Sequence, residues 1–203
     1  MEEQEAALIE AAASMLVERG YGDLTVEAVT ERAGVARGVF DSRFDGKQAV
    51  VEFAYGTLFE QFLRRLSRAI ETQPNWPLKV KVGIGATLDM AAAAPVKAQF
   101  LTLDSLATNK ALVQQRFESR ERLARLLAAG RTEVLHAPEL PGIAEQTLVA
   151  GIVWVISSQL RDGAAEQLPA LAPQLVELTL TPYLGREQAA GVARRPRPAV
   201  EDG

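Results

Sequence analysis

The sequence predicts an all-α protein of about nine helices, and three observations carry that prediction. Apolar residues recur at the 3.6-residue spacing of a buried helix face through most of the chain. Gly, Pro and capping residues punctuate these stretches. No segment alternates apolar and polar residues as a half-buried strand does. The 203 residues are enough for a sizeable core. A balance of 48% hydrophobic to 24% charged residues is that of a globular chain.

The elements follow in order. From Gln4 to Arg19, Leu8, Ala12, Met15 and Leu16 share one helical face, and Gly20 supplies the stop, with Tyr21 able to cover the last turn. Thr25 is an N-cap for a second helix, and Leu24 and Val29 are spaced as a hydrophobic staple across its start. That helix offers Val26, Val29 and Ala33 to a core and ends at Gly34. A third runs from near Ala36 to about Phe44, where Asp45-Gly46 breaks it. A long fourth helix, Lys47 to Thr72, has a buried stripe of Val50, Phe53, Ala54, Leu58, Phe62 and Leu66, and the prolines of "QPNWP" end it. Further helices are expected at 77–93, 96–108, 110–134, 142–162 and 170–184, broken at Pro95, Asn109, "HAPELPG" (136–142) and "LPALAP" (168–173). The Pro-rich, charged tail "RRPRPAVEDG" predicts disorder. The expected organisation is a three-helix domain over 1–46, a larger helical domain over 47–185 and an unstructured tail over 186–203.

Several function classes are disfavoured. The chain has no Cys, hence no disulfide framework, thiolate metal site or thiol nucleophile. The only His, His136, lies in a Pro-rich loop. No Ser sits in a nucleophile elbow, no metal-ligand cluster or phosphate-binding Gly loop appears, and "GIGATLD" (83–89) does not follow a strand. No enzyme, cofactor or metal is expected. The opening MEEQEAALIE is acidic where a signal peptide is basic. The longest apolar run, Leu148 to Ile156, falls well short of the roughly 20 residues that span a bilayer. A cytoplasmic protein without a membrane partner is expected.

The second and third helices, joined by "AGVA", form a helix-turn-helix, with Gly34 allowing the tight turn and Val35 locking the helices together. In such a motif the second helix lies in the major groove with its N-terminal residues at the base edges. Those residues are Arg37, which can bond guanine O6 and N7 together, and Gly38, which lets the backbone approach closely. The charge runs the other way. Residues 1–50 hold five basic against ten acidic residues, a net of −5, whereas phosphate contact favours a basic domain.

The segment Ala11 to Val51, "AAASMLVERGYGDLTVEAVTERAGVARGVFDSRFDGKQAVV", resembles the TetR family of bacterial transcriptional regulators. Gly20-Tyr21, Thr25-Val26, Ala33-Gly34-Val35, Gly38, Phe44 and Lys47 all stand at the family's spacing. A weaker echo, "LPALAPQLVELTLTPYLG" (168–185), looks like the last helix common in one large branch. The resemblance implies an all-α homodimer that binds a palindromic double-stranded DNA operator. It implies a small-molecule effector pocket in the C-terminal body and a four-helix interface from the last two helices of each subunit. By the same resemblance Thr25 and Lys47 touch phosphates and Arg37 reads a base. The full DNA-facing set is Thr25, Ala36, Arg37, Gly38, Asp41, Ser42, Arg43 and Lys47.

Three departures bear on it. Ala36 stands where Ser or Thr is common, Phe40-Asp41 where the family has a "LY" pair whose tyrosine touches a phosphate, and Glu2, Glu3 and Glu5 where a basic residue is usual. Asp41 has three readings: an acceptor for cytosine N4, an orienter of Arg37 four residues before it, or a solvated residue of a helix that no longer binds DNA.

In the body, Phe59, Phe62, Met90, Phe100, Asp104, Phe117, Arg120 and Trp154 are candidates for a mostly apolar ligand site with few polar groups. Trp76 has the same character, and for any single aromatic a core role is the plainer alternative. "TLVAGIVWVISSQL" (147–160) is apolar nearly all round, so it needs cover on both sides. With the apolar face of 170–184 it predicts an isologous homodimer through helices at about 142–162 and 170–184. Two functions remain: a dimeric, ligand-controlled repressor, or a protein of the same fold with weakened or lost DNA binding that acts as a ligand-binding or protein-interaction module.

Overall fold

A computed structural model describes residues 2–103, 110–134 and 139–196. Among these residues the chain is helical and contains no strand. In order, the helices are α1 (Glu2–Arg19), α2 (Val26–Ala33), α3 (Arg37–Asp41), α4 (Lys47–Glu71), α5 (Trp76–Ala93) and α6 (Pro95–Thr102). They continue with α7 (Lys110–Ala128), α8 (Gly130–Glu133), α9 (Ala144–Arg161), a 3₁₀ segment (Ala165–Leu171), α10 (Ala172–Leu184) and α11 (Arg186–Arg194). The chain divides into two compact units, Met1–Gln61 with Val96–Phe117, and Phe62–Pro95 with Glu118–Gly203.

The first unit holds α1–α3, the first part of α4, α6 and the start of α7. The Thr25 hydroxyl accepts the Ala28 N–H at 3.2 Å and caps α2. Leu24 and Val29 are both fully buried, as a staple across the helix start requires. Gly34 ends α2 at φ 64°, in the left-handed region where a side chain is strained, and so turns the chain into α3. Leu8, Leu16, Val29, Phe40 and Val50 form a closed core. The Phe40 and Phe44 rings lie 5.4 Å apart, and Phe44 meets Phe53 at the same distance. Phe53 is nonetheless 41% exposed, the one member of the expected α4 stripe that faces out so far. The helix expected over 36–44 is helical only over Arg37–Asp41. Ala36 gives no side-chain cap, and the last turn tightens to bonds such as Arg43 N–H to Phe40 O at 2.9 Å.

The second unit packs α5, α10, α11 and the 3₁₀ segment together around Val82, Leu88, Leu168, Val176 and Leu180. Trp76 is buried, its ring 4.6 Å from that of Tyr183. Gly130 lies flat against that indole, and a Cβ there would come within 2.3 Å of the ring. Only glycine fits, and the helix expected over 110–134 divides there into α7 and α8.

The chain from 186 onward differs from the sequence expectation. α11 covers Arg186–Arg194, with Ala189, Ala190 and Ala193 buried. Lys81 of α5 is buried and donates to the carbonyls of Val192 (2.6 Å), Ala193 (3.2 Å) and Arg195, satisfying the orphan acceptors at the end of α11. An alanine face is too weakly apolar to stand out against "RRPRP", so composition hid the helix.

A buried polar cluster joins α8, α9 and α10. Arg131 donates to both Glu145 carboxylate oxygens at 2.8 Å and to the Leu140 and Pro141 carbonyls. Tyr183 donates its hydroxyl to Glu145 at 2.7 Å. Among the described residues no helix is long and apolar enough to cross a membrane.

Candidate nucleic-acid interface

The α2–turn–α3 segment presents Thr25, Ala36, Arg37, Gly38, Asp41, Ser42 and Arg43 on its exposed surface, with Lys47 half-buried at the start of α4. Phe40 anchors α3 from below, so the five-residue helix is held by its neighbours more than by its own bonds. The Ser42 hydroxyl turns inward to the Val39 carbonyl at 2.7 Å.

Arg37, Arg43 and Lys47 are each engaged within the protein, as is Arg32 of α2. Arg37 Nε donates to Asp41 Oδ1 at 2.8 Å and Oδ2 at 3.0 Å, and its Nη1 pairs with Glu27. Arg43 pairs with Glu5 of α1. Arg32 makes a two-pronged contact with Glu18, at 2.7 and 2.8 Å. Lys47 Nζ donates to the Tyr21 carbonyl at 3.1 Å and sits 4.7 Å from the centre of the Tyr21 ring, a cation–π contact. The ion pairs leave their mark on protonation. Asp41, then Glu27, raises the Arg37 guanidinium above its ordinary value. The backbone N–H of Glu27 and the Arg37 guanidinium hold the Glu27 carboxyl below its own. Arg32 lowers Glu18 in the same way.

The i,i+4 pair of Arg37 with Asp41 is the one contact of this set that spacing predicts. Glu27, Glu18 and Glu5 reach their arginines from other helices, so no local pattern announces them. The only sequence signal was the acidic excess of the domain.

The ligand candidates are distributed over both units. In the first, Phe59 and Phe100 are buried and both meet Tyr55, Phe59 stacked at 6.3 Å and Phe100 tilted at 6.2 Å. Sequence reasoning did not single out Tyr55. Phe117, also in this unit, is 60% exposed. In the second unit Phe62, Met90 and Arg120 are half-buried and Trp154 is 64% exposed. Asp104 lies outside the described residues. An open cleft of about 280 Å³ in the second unit is lined by Asn75, Pro77, Leu78, Glu133, Val134, Leu184, Val192 and Arg195, none of which was a candidate.

Residues 8–54 match the model of a family described as bacterial regulatory proteins, tetR family. A search of curated proteins finds no match to the chain. Among solved structures, the chain is similar to the transcriptional regulator FadR from Bacillus subtilis in complex with stearoyl-CoA, with TM-score 0.77 and 21% identity over 87% of this chain and 98% of that one. It is equally similar to the fatty acid degradation regulator FadR from Bacillus halodurans, with TM-score 0.77 and 21% identity over 87% and 94%. The SmeT–triclosan complex matches with TM-score 0.75 and 19% identity over 97% and 99%. At these identities the likeness is one of fold. Residues 8–54 thus match the tetR family model, and the chain shares its all-helical fold with solved transcriptional regulators.

Proposed function

We propose that the chain is a dimeric transcriptional regulator, a repressor whose α3 enters the major groove of an operator and whose DNA binding is controlled by a small, mostly apolar ligand. The observation that carries this reading is the exposed Arg37–Asp41 pair on α3 of a tetR-family domain, a donor and an acceptor 2.8 Å apart. Such a pair complements the major-groove edge of a G·C pair: Arg37 donates to guanine O6 and N7, and Asp41 accepts from cytosine N4. Thr25, Ser42 and Arg43, exposed on the same segment, and half-buried Lys47 are the proposed contacts to the DNA backbone, with Gly38 beside Arg37 at the base edges.

An apolar effector is supported by relatives solved with stearoyl-CoA and with triclosan. It is also supported by the aromatic cluster of Tyr55, Phe59 and Phe100 inside the first unit. A homodimer is supported by an uncovered stripe along α9, where the N-cap Ile143, then Thr147, Gly151 and Trp154 follow at helical spacing. Ile143 and Trp154 are 69% and 64% exposed, and Leu178 of α10 is 62% exposed. A two-fold axis pairs such a stripe with itself.

One observation favours a second reading, in which DNA binding is weakened or lost: Arg32, Arg37, Arg43 and Lys47 all have partners inside the protein. Selection of genomic fragments by the purified protein at low salt, beside an Asp41→Tyr variant, separates the two. The regulator reading expects one palindromic site for the native protein and a changed or lost site for the variant. Recovery of no site by either protein, with the dimer intact, decides for the second reading.

A further inference from the structure

Arg37 presents three nitrogens, and two are occupied. Nε is held by Asp41 from the same helix, and Nη1 by Glu27 from α2. A guanidinium grips guanine O6 and N7 with a two-nitrogen fork, either Nη1 with Nη2 or Nε with Nη2. Each fork includes a nitrogen already engaged, so reading a guanine displaces one carboxylate. The two are not equivalent. Asp41 lies one turn from Arg37 on the helix that enters the groove, and it bonds Nε with both oxygens. Glu27 reaches across from α2 through a single oxygen, and its side chain is 74% exposed. The end fork of Nη1 and Nη2 becomes available when Glu27 alone swings away, with Asp41 still holding Nε.

We propose that Glu27 sets the DNA specificity of the interface by competing with DNA for Arg37, so that binding without sequence recognition is suppressed and a base edge that replaces the Glu27 carboxylate restores the contact. This inference rests on the DNA-binding reading above. A phosphate passing α3 meets an Arg37 whose charge is already answered twice, and so gains little counterion release. A guanine at the right position offers two acceptors in the geometry of the fork, and the adjacent cytosine N4 donates to Asp41. Glu27 stays ionised at neutral pH, because its own backbone N–H and then Arg37 hold its carboxyl low. The acidic character of the domain thereby becomes a filter against wrong sites.

The test uses the full-length protein and fluorescence anisotropy on a labelled random-sequence duplex and on the selected genomic site, with KCl varied over roughly 50–200 mM. Glu27→Gln is compared with Glu31→Gln, which removes the same charge from another exposed position of α2. The expected result is that Glu27→Gln tightens random-duplex binding by about threefold or more and steepens the salt slope by about one, as one newly available cation does. The ratio of specific to random affinity falls, Glu31→Gln does much less, and in an Arg37→Ala background the effect of Glu27→Gln disappears. Binding by Glu27→Gln where the native protein shows none supports the same conclusion. Equal effects of the two Gln variants, or no effect of Glu27→Gln while the native protein binds DNA, overturn the proposal and leave the DNA reading standing. No binding by any of these proteins at the lowest salt overturns both.

Discussion

Glu145→Ala is expected to lower the stability of the second unit by about 2–3 kcal/mol, the cost of breaking a largely buried ion pair from one side, reduced because Arg131 is partly in water. The carboxylate is buried and receives three hydrogen bonds, two from Arg131 and one from Tyr183. Its removal leaves a guanidinium and a buried phenol without their acceptor. In a chain of this size the loss corresponds to a fall in Tm of roughly 4–12 °C, readable by thermal unfolding. The pH dependence has a definite sign. Arg131, and with it the Tyr183 hydroxyl, hold the Glu145 carboxyl below its ordinary value of 4.5, against the opposing effect of burial. Its contribution is therefore complete above that value and fades as pH falls through the lowered one. The stability gap between native protein and variant should close in acid. Burial, followed by the neighbouring Glu145, pushes the Tyr183 hydroxyl well up, so the phenol remains a donor through neutral and mildly alkaline pH. A gap that is constant from pH 3 to 7, or absent, would show that the cluster does not support the fold.

Trp154→Glu is expected to convert a micromolar dimer into monomer. The indole is 64% exposed in the single chain, in a stripe with Gly151 and the N-cap Ile143 of α9. Buried Trp anchors at interfaces cost about 2 kcal/mol or more on truncation, a roughly thirtyfold rise in Kd. A carboxylate facing its own symmetry mate across a two-fold axis adds desolvation and like-charge repulsion. Sedimentation of native and variant proteins reads the result. Folding within the chain should persist, because Trp154 contributes little to the core. A native protein that is monomeric at micromolar concentration, or a variant that remains dimeric, would remove this face from the interface.

The parts of the fold that were legible in the sequence are those fixed by local chemistry. Thr25 and Gly34 bound α2 as their cap and turn preferences require, and the apolar spacing of Leu8, Met15 and Leu16 gives the buried side of α1. What was not legible depends on residues far apart in the chain. The need for glycine at position 130, where α8 begins, comes from the indole of Trp76 packed against it. α11 is held by a lysine more than a hundred residues earlier. The candidate site divides the same way. Position in the motif was enough to set Arg37 beside Asp41 on α3, since the turn and the i,i+4 spacing are local. The acidic partners Glu5, Glu18 and Glu27 come from neighbouring helices, and only the assembled three-helix unit shows that they answer the basic residues one by one.

That pairing gives the net charge of −5 over residues 1–50 a physical meaning. A domain with few uncompensated cations has little affinity for phosphate alone, so the proposed operator binding would depend on base contacts. The central claim is that Arg37 reads a base pair from α3, and the most direct test is a base-substitution map. Affinities of the native protein and of Arg37→Ala are measured for the selected operator and for each of its single base-pair changes. The account predicts that the native protein loses about 1–3 kcal/mol at one G·C pair in each half-site, and that Arg37→Ala loses discrimination at that pair while keeping it elsewhere. A map that Arg37→Ala leaves unchanged at every position would contradict it.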